Sequence, residues 1–454
     1  MRHIGWRWFA VSSLMLAAAM AETRPQYGGT SHVAMRAAPT TLDPADNTQA
    51  DSFGRRSLTR LMFDTLITTD ANGRIQPALA TEWQAASGGQ RWQFRIRRGV
   101  KFHDGTVLTA EIAAASLRDA NPGWKVAVDA DSLSIELEKP DSDLPGELAL
   151  SRNAIVLRSS SSSPSGTGPF HVVDWQPGKK LLLAAEETCW RGRPFLDAID
   201  IEMGKSIRDQ MTALELGKAD LVEVAPEQVH RFSQEKRRMV SSNSIELLAL
   251  VFARDAASPE EKLLRQALAL SVERASMRSV LLQGAGQAAG GILPNWMSGY
   301  GFVFSTAADL PRAQQVRQQA GRAMTWTLGY DGNDPMARLL AERIALNAKD
   351  AGLSLQPRAE AGGDLRLRRI PLASADPWIA LAGVATLAGL PAAEQRGGEE
   401  ELYAAEVAVL ATQRVIPLFH LPAPYASAAN LENWALQPDG SWTVADAWWG
   451  VANK

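Results

Sequence analysis

Cysteine is the scarcest residue of this 454-residue chain. Cys189 stands alone, so no intrachain disulfide can form, and a chain this long can do without one because its core is large. It sits in Glu187-Thr188-Cys189-Trp190 and reads as a small residue beside a core tryptophan, since the sequence offers no base to activate a thiol. Histidine is nearly as sparse: His3, His32, His103, His171, His230 and His420 are scattered, with no ligand spacing such as i, i+4. A G-x-S-x-G elbow, an H-E-x-x-H pair and a G-x-x-x-x-G-K-[ST] loop are all absent. The carboxylate pairs Asp129/Asp131 and Asp141/Asp143 lie in turn-rich stretches, and turn chemistry accounts for them. Gly284-Ala285-Gly286 and Gly290-Gly291 follow a helix instead of leading a strand into one, which argues against a phosphate cradle. Catalytic residues, metal ligands and cofactors are therefore not expected.

An excess of one charge is missing too. Lys and Arg number 47 against 50 Asp and Glu, a formal net charge of −3, which argues against broad nucleic-acid binding. The runs Glu235-Lys236-Arg237-Arg238 and 366–369 read as solvated faces. Residues 8–20 form an apolar run shorter than the ~20 residues a membrane-spanning helix needs. Arg2 and Arg7 lie at or before its start and Ala19-Met20-Ala21 closes it, the pattern of a secretory signal peptide cleaved near Ala21. No cysteine follows to carry a lipid. The mature chain, from Glu22, is expected to be soluble and periplasmic.

What the chain has in quantity is tryptophan, with 14 residues. Trp6 and Trp8 fall in the signal segment, and most others read as core. Trp296 and Trp378, at loop positions, are candidates to line a ligand pocket. The length implies two or more lobes. Apolar spacing predicts helices over 53–66, 109–117, 208–216, 334–352 and 399–413. Ser258-Pro259-Glu260-Glu261 starts another, with an N-cap serine, proline at N1 and a capping-box glutamate. Strands are expected over 31–35, 92–96, 131–139, 326–330 and 415–420. The near-continuous apolar run 245–252 suits a strand buried on both faces. Arg366, Arg368 and Arg369 alternate and read as an exposed edge strand. The mixture is α/β.

Several blocks carry a resemblance. GGTSHVAMRAAPTTLDPA at residues 28–45, RLMFDTLITTDANGRIQPALATEW, FRIRRGVKFHDGTVLTAEIAAASL, SGTGPFHVVDWQPG, CWRGRPFLDAIDIEM and VIPLFHLPAPYASAANLENW follow one another in the chain. In content and order they resemble the diagnostic blocks of the family 5 extracellular solute-binding proteins, the peptide/nickel-type binding components of ABC importers. Cys189 stands where that family usually has tyrosine. Asn121-Pro122-Gly123 shortens a connection, and ALAGVATLAGLPAAEQRGG replaces an Asn/Asp-rich segment that often lines the ligand pocket.

The resemblance implies a two-lobed, type II periplasmic-binding-protein-like α/β fold with two hinge crossings and a ligand cleft between the lobes. Lobe I would take 22–245 and 418–454, and lobe II 246–417. Phe252, Ala253 and Pro417 are the hinge candidates. Thr40 and Thr41 in the loop after the first strand, with Trp296, Asp376 and Trp378, are the candidate ligand contacts. Asp376 suits a ligand ammonium. The implied partners are a peptide or similar small solute and the inner-membrane ABC permease subunits, with the binding protein a monomer that has no catalytic step. A secreted hydrolase and a diverged sensory or chaperone-like module of the same fold are the competing readings.

Overall fold

The computed structural model describes residues 25–158, 164–235, 238–321, 323–360, 362–392 and 396–450. The signal segment, Lys236, Arg237 and residues 159–163 of the serine-rich stretch lie outside the described residues.

Strand β1 (Thr30–Ala34) leads to helix α1 (Phe53–Met62). Ser52 Oγ accepts from Arg55 N at 3.2 Å and starts the helix. The predicted helix ran to residue 66, but the backbone turns extended at Phe63, so Leu66 packs in a different cluster from Leu58, Leu61 and Met62. The turn Gly166-Thr167-Gly168 crosses the helix end there. Gly168 N donates to Met62 O at 3.0 Å. A Cβ on Gly168 would lie 2.5 Å from the Met62 carbonyl carbon, and one on Gly166 only 1.9 Å from its oxygen. Buried Asp64 ties the crossing down, accepting from Thr167 Oγ1 at 2.9 Å and Trp190 Nε1 at 2.8 Å.

The hairpin β2 (Ile67–Thr69) and β3 (Ile75–Pro77) turns through Gly73, whose φ is 77°. Next come β4 (Ala80–Ala86), β5 (Arg91–Ile96), α2 (Ala110–Ala120), β6 (Lys125–Asp129) and β7 (Ser132–Glu136). These four strands form a sheet ordered β4-β5-β7-β6. Phe94, Leu133 and Ile135 are fully buried in one cluster with Ala113 and Leu117 of α2. Thr109 caps α2, as expected. After α3 (Leu144–Leu148), the main sheet resumes with β8 (Phe170–Gln176), β9 (Lys180–Ala185), β10 (Ala198–Glu202), α4 (Ile207–Glu215), β11 (Leu221–Glu223) and α5 (Val229–Gln234).

A long strand, β12 (Met239–Phe252), leaves this half. Beyond it lie α6 (Pro259–Ser271), α7 (Arg274–Val280), β13 (Gln287–Ala288), α8 (Asn295–Ser298), α9 (Leu310–Gln319), β14 (Thr325–Gly329), α10 (Pro335–Asp350), β15 (Ser354–Arg358), β16 (Leu365–Pro371), α11 (Pro377–Leu387) and α12 (Glu399–Ala411). A second long strand, β17 (Val415–Ser427), returns. Four short strands, β18 (Leu431–Glu432), β19 (Ala435–Leu436), β20 (Trp442–Thr443) and β21 (Trp448–Trp449), then pair as β18-β21 and β19-β20.

One sheet runs through both halves in the order β15-β14-β16-β12-β17-β11-β1-β10-β9-β8, with β13 beside β17. Its spine is the antiparallel pair β12–β17. Met239–Ser241 face Pro424–Ala426 on one side, and Glu246–Val251 face Val415–Leu421 on the other. The register slips between Ser241 and Ser244, between Ser244 and Glu246, and between Leu248 and Ala249. Each slip sits beside a proline of β17: Pro424, Pro422 or Pro417. Proline brings no N–H to a ladder, so each of these paired positions lacks a ladder donor. The interior divides accordingly. One core holds Val33, Phe170 and Trp442. The other half has Leu250, Phe252 and Trp326 on one sheet face and Leu247, Trp378 and Val384 on the other. The chain is therefore two-lobed.

Three expectations change. Strand β16 lies between β14 and β12, not at an edge. Leu365, Leu367 and Ile370 are buried, so the strand is covered, and Arg369 is neutralised by Glu246 at 2.7 Å on the neighbouring strand. In α10, Leu339 and Leu346, which helical spacing puts on the apolar stripe with Leu340 and Ile344, are 46% and 48% exposed. The buried stripe there is Ala337, Leu340, Ala341, Ile344 and Ala348. At α6, Ser258 caps Glu261 N, but Glu261 reaches Ala257 N at 2.9 Å and Arg265 at 2.6 Å instead of closing the box on Ser258.

Arg56 staples the lobes. Its Nη1 donates to Leu372 O at 2.8 Å, just past β16, and to Asp439 O at 2.7 Å. The Asp439 carboxylate pairs with Arg60 at 2.9 Å. Burial opposes its ionisation, but Arg60, Arg56 and Ser441 outweigh that and hold its carboxyl at about 2.

Two outcomes are expected. Gly168→Ala forces Cβ into the end of α1 and lowers stability by about 3 kcal/mol, read as a lower urea midpoint; an unchanged midpoint shows that the crossing has room. Because the Asp439 carboxyl is depressed in the fold, its contribution is complete above the ordinary carboxylate range and is lost as pH falls through about 2. Asp439→Asn removes roughly 2 kcal/mol at neutral pH and flattens the acid limb of the urea midpoint. An acid limb identical to that of the parent rules this ion pair out as its source.

Candidate ligand cleft

Between the lobes lies a cavity of about 340 Å³. One wall comes from Arg60, the β2–β3 turn at Asn72 and Gly73, and Asp143 before α3; the other carries Trp296 and Ser374 to Pro377.

Local chemistry sets the two acids. Pro377 starts α11, and Asp376 caps it by accepting from Ile379 N at 2.9 Å through Oδ1. The Asp376 N–H donates to Ser374 Oγ at 3.0 Å. A cap uses one carboxylate oxygen, which leaves the other for the cavity. Asp143 also stands at an N-cap position but makes no capping bond with its side chain. Its Oδ2 instead accepts from Arg396 Nη1 at 2.9 Å, a bond that crosses between the lobes. Arg396 is also 3.5 Å from Asp141, which accepts from Asp143 N at 2.8 Å. Burial and the facing charge of Asp376 push the Asp143 carboxyl up to about 7, against the pull of Arg396. Two carboxylates this close share a proton or demand a cation.

Trp296 is 42% exposed, and its Nε1 donates to Ser244 O at 3.0 Å. That carbonyl belongs to β12 between its first two register slips, so the indole is anchored to the spine. Arg60 reaches the cavity already paired with Asp439. Among the described residues, no three His, Cys, Asp or Glu side chains are grouped to hold a metal ion, and no helix is long and apolar enough to cross a membrane.

The structure brings Trp296 and Asp376 together at the cavity and separates the other candidates from it. Trp378 is buried in the lobe II core, with Nε1 donating to Gly397 O at 3.1 Å. Thr40 and Thr41 sit outside the lining in a turn, where Thr40 N donates to Gln49 Oε1 at 2.9 Å and Thr41 Oγ1 accepts from Asp43 N at 3.1 Å. Phe252 packs edge-on to Trp326, with ring centres 5.3 Å apart. Ala253 N donates to Asp364 O. Pro417 O accepts from the Arg274 guanidinium at 2.8 Å. These last three lie within lobe II, beyond the middle of the spine. Sequence reasoning missed Asp143, Arg60 and Arg396 as cleft residues. Asp143 was visible only as half of a turn-like pair, and Arg396 carries no local pattern.

The sequence pattern of the bacterial extracellular solute-binding proteins, family 5 (middle), matches residues 74–370. Protein XP55 of Streptomyces lividans is 23% identical over 331 residues, 65% of this chain and 61% of that protein. The chain thus spans about three fifths of that relative's length. Among solved structures, NikA from Staphylococcus aureus in complex with Ni(L-His)2 superposes with a TM-score of 0.80 at 15% identity, covering 92% of this chain and 99% of that one. The oligopeptide-binding protein AppA from Bacillus subtilis, in complex with a nonapeptide, gives a TM-score of 0.78 at 17% identity, covering 94% and 100%. A metal chelate and a nonapeptide thus occupy one fold, so the fold by itself selects no ligand. By the extent of its match to the family pattern, this chain belongs to the bacterial extracellular solute-binding proteins of family 5.

Proposed function

We propose that this protein captures a small solute between its lobes in the periplasm and delivers it to the inner-membrane permease of an ABC importer, as a monomer and without a catalytic step. The observation that carries this reading is the cavity whose walls come from both lobes. A ligand that touches both walls binds the closed arrangement better than the open one and so draws the lobes together. The volume, about 340 Å³, stands at the small end of ligand sites. That favours a solute of dipeptide size or less over a nonapeptide.

In this reading lobe I is 22–245 with 418–454, and lobe II is 246–417. The hinge is the stretch of β12–β17 between Ser241 and Glu246, facing Leu421 to Pro424, where two register slips fall together. Ladder hydrogen bonds resist bending, and their loss there supports that position over Phe252, Ala253 and Pro417. Residues 1–21 act as the export signal. Support for the importer role comes from family membership and the two-walled cavity.

The test is native mass spectrometry of protein purified from its own periplasm, followed by a thermal-shift screen of the released solute. Saturation at about 100 times Kd raises stability by roughly 2.7 kcal/mol, because the ligand binds only the native state. A protein that never carries a solute, and that no member of a broad solute library stabilises, overturns the binding reading.

A further inference from the structure

The charges around the cavity do not match a zwitterion. Arg60 is the one cationic side chain among the lining residues, and Asp439 already engages it at 2.9 Å. Arg396 stands behind the lining and divides itself between Asp143 at 2.9 Å and Asp141 at 3.5 Å. The charge of the lining guanidinium is thus already balanced by a carboxylate, although its buried Nε makes no hydrogen bond. The opposite holds for positive charge. Asp143 and Asp376 face each other from opposite lobes, close enough to share a proton, with only one shared guanidinium nearby. A buried charge without a partner is costly. The site is therefore short of one cation and carries no unbalanced positive charge for an added anion. Trp296, held by its Nε1 to Ser244 O, adds an aromatic ring to the same cavity, and aromatic faces attract cations.

We propose that the solute captured here is a small organic cation without a carboxylate, its positive centre lying between Asp143 and Asp376. The proposal rests on the reading of this cleft as a solute site and narrows it from small solutes in general to amines, guanidines or quaternary ammonium compounds.

The groups that face Asp143 are Asp376 at the start of α11, Asp141 on its own loop and Arg396 before α12; Arg60 and Asp439 form a neutralised pair on the cavity wall. In the empty site the Asp143 carboxyl, raised to about 7, holds a proton between the two acids. The ligand's cation takes the place of that proton, so binding releases one proton to solvent at pH 6. No covalent bond changes. By linkage, affinity rises about tenfold per pH unit on approaching pH 7 from below and levels off above it.

The first experiment is a thermal-shift screen of a library divided into organic cations, zwitterions and anions, at pH 7.5. Stabilisation by cations alone is expected. Stabilisation by free amino acids or dipeptides, but not by their carboxylate-free amides, overturns the proposal while leaving the protein a solute binder. Silence across all three classes overturns the binding reading, and this proposal with it. The second is isothermal titration of the best cation at pH 6 in two buffers of different ionisation heat. Release of about one proton is expected, with loss of that release and a tenfold or greater loss of affinity in Asp143→Asn. Asp376→Asn keeps an oxygen to cap α11 and should lose affinity to a similar degree while melting normally. Binding of the cation with no proton release, or with unchanged affinity in both variants, overturns the proposal.

Discussion

The backbone pairing of β12 with β17 is the constraint on which everything else depends. Residues 245–252 are buried without a break, so their N–H and C=O groups cannot turn to water and must be paired. β16 and β17 supply those partners on either side. The same two strands continue into lobe I, where β17 joins β11. Both lobes are thus parts of one sheet, and the hinge proposed above falls where that sheet is short of ladder donors. The prolines of β17 set those places. A spine that was regular throughout would make one rigid slab, and a spine with no pairing at its centre would leave the lobes unaligned.

The cleft follows from the same economy of parts. Its acids sit where helices begin, positions that select aspartate for structural reasons. Asp376 serves as a cap and still presents a carboxylate oxygen to the cavity. Asp143 occupies the corresponding place before a five-residue helix and gives its carboxylate to Arg396 of the other lobe. The indole of Trp296 is tied to the spine itself. Movement at the centre of β12 is therefore felt directly by a side chain at the ligand cavity, with no intermediate element.

Much of the fold was legible in the sequence because local signals and burial agree there. Thr109 caps its helix, and 245–252 is a fully buried strand. Legibility failed where a non-local contact decides. Nothing near Phe63 announces that α1 must stop; the cause is a turn about a hundred residues downstream that crosses the helix end. The three arginines of β16 look like an edge until Glu246 is brought beside Arg369. In the cleft, Asp376 and Trp296 stood out because an Asp-Pro step and a tryptophan outside any apolar stripe are visible singly, although Trp296 lies in the short helix α8 and not in a loop. Asp143 and Arg396 are ordinary in their own neighbourhoods and gain meaning only when the lobes close on each other. One of the blocks that carry the family resemblance, residues 60–83, mainly builds lobe I and contributes to the cavity through Arg60 and the β2–β3 hairpin.

The Arg56 staple also bears on how the chain assembles. Its carbonyl acceptors lie 315, 316 and 383 residues away in sequence, and β11 finds its second neighbour only in β17. Lobe I therefore keeps an open sheet edge through most of synthesis, whereas lobe II is nearly continuous in sequence. Contacts of such long range are slow to form. The growing polypeptide thus spends most of its elongation unable to complete its first lobe, and a chain in that condition can still be threaded through a narrow channel before it folds.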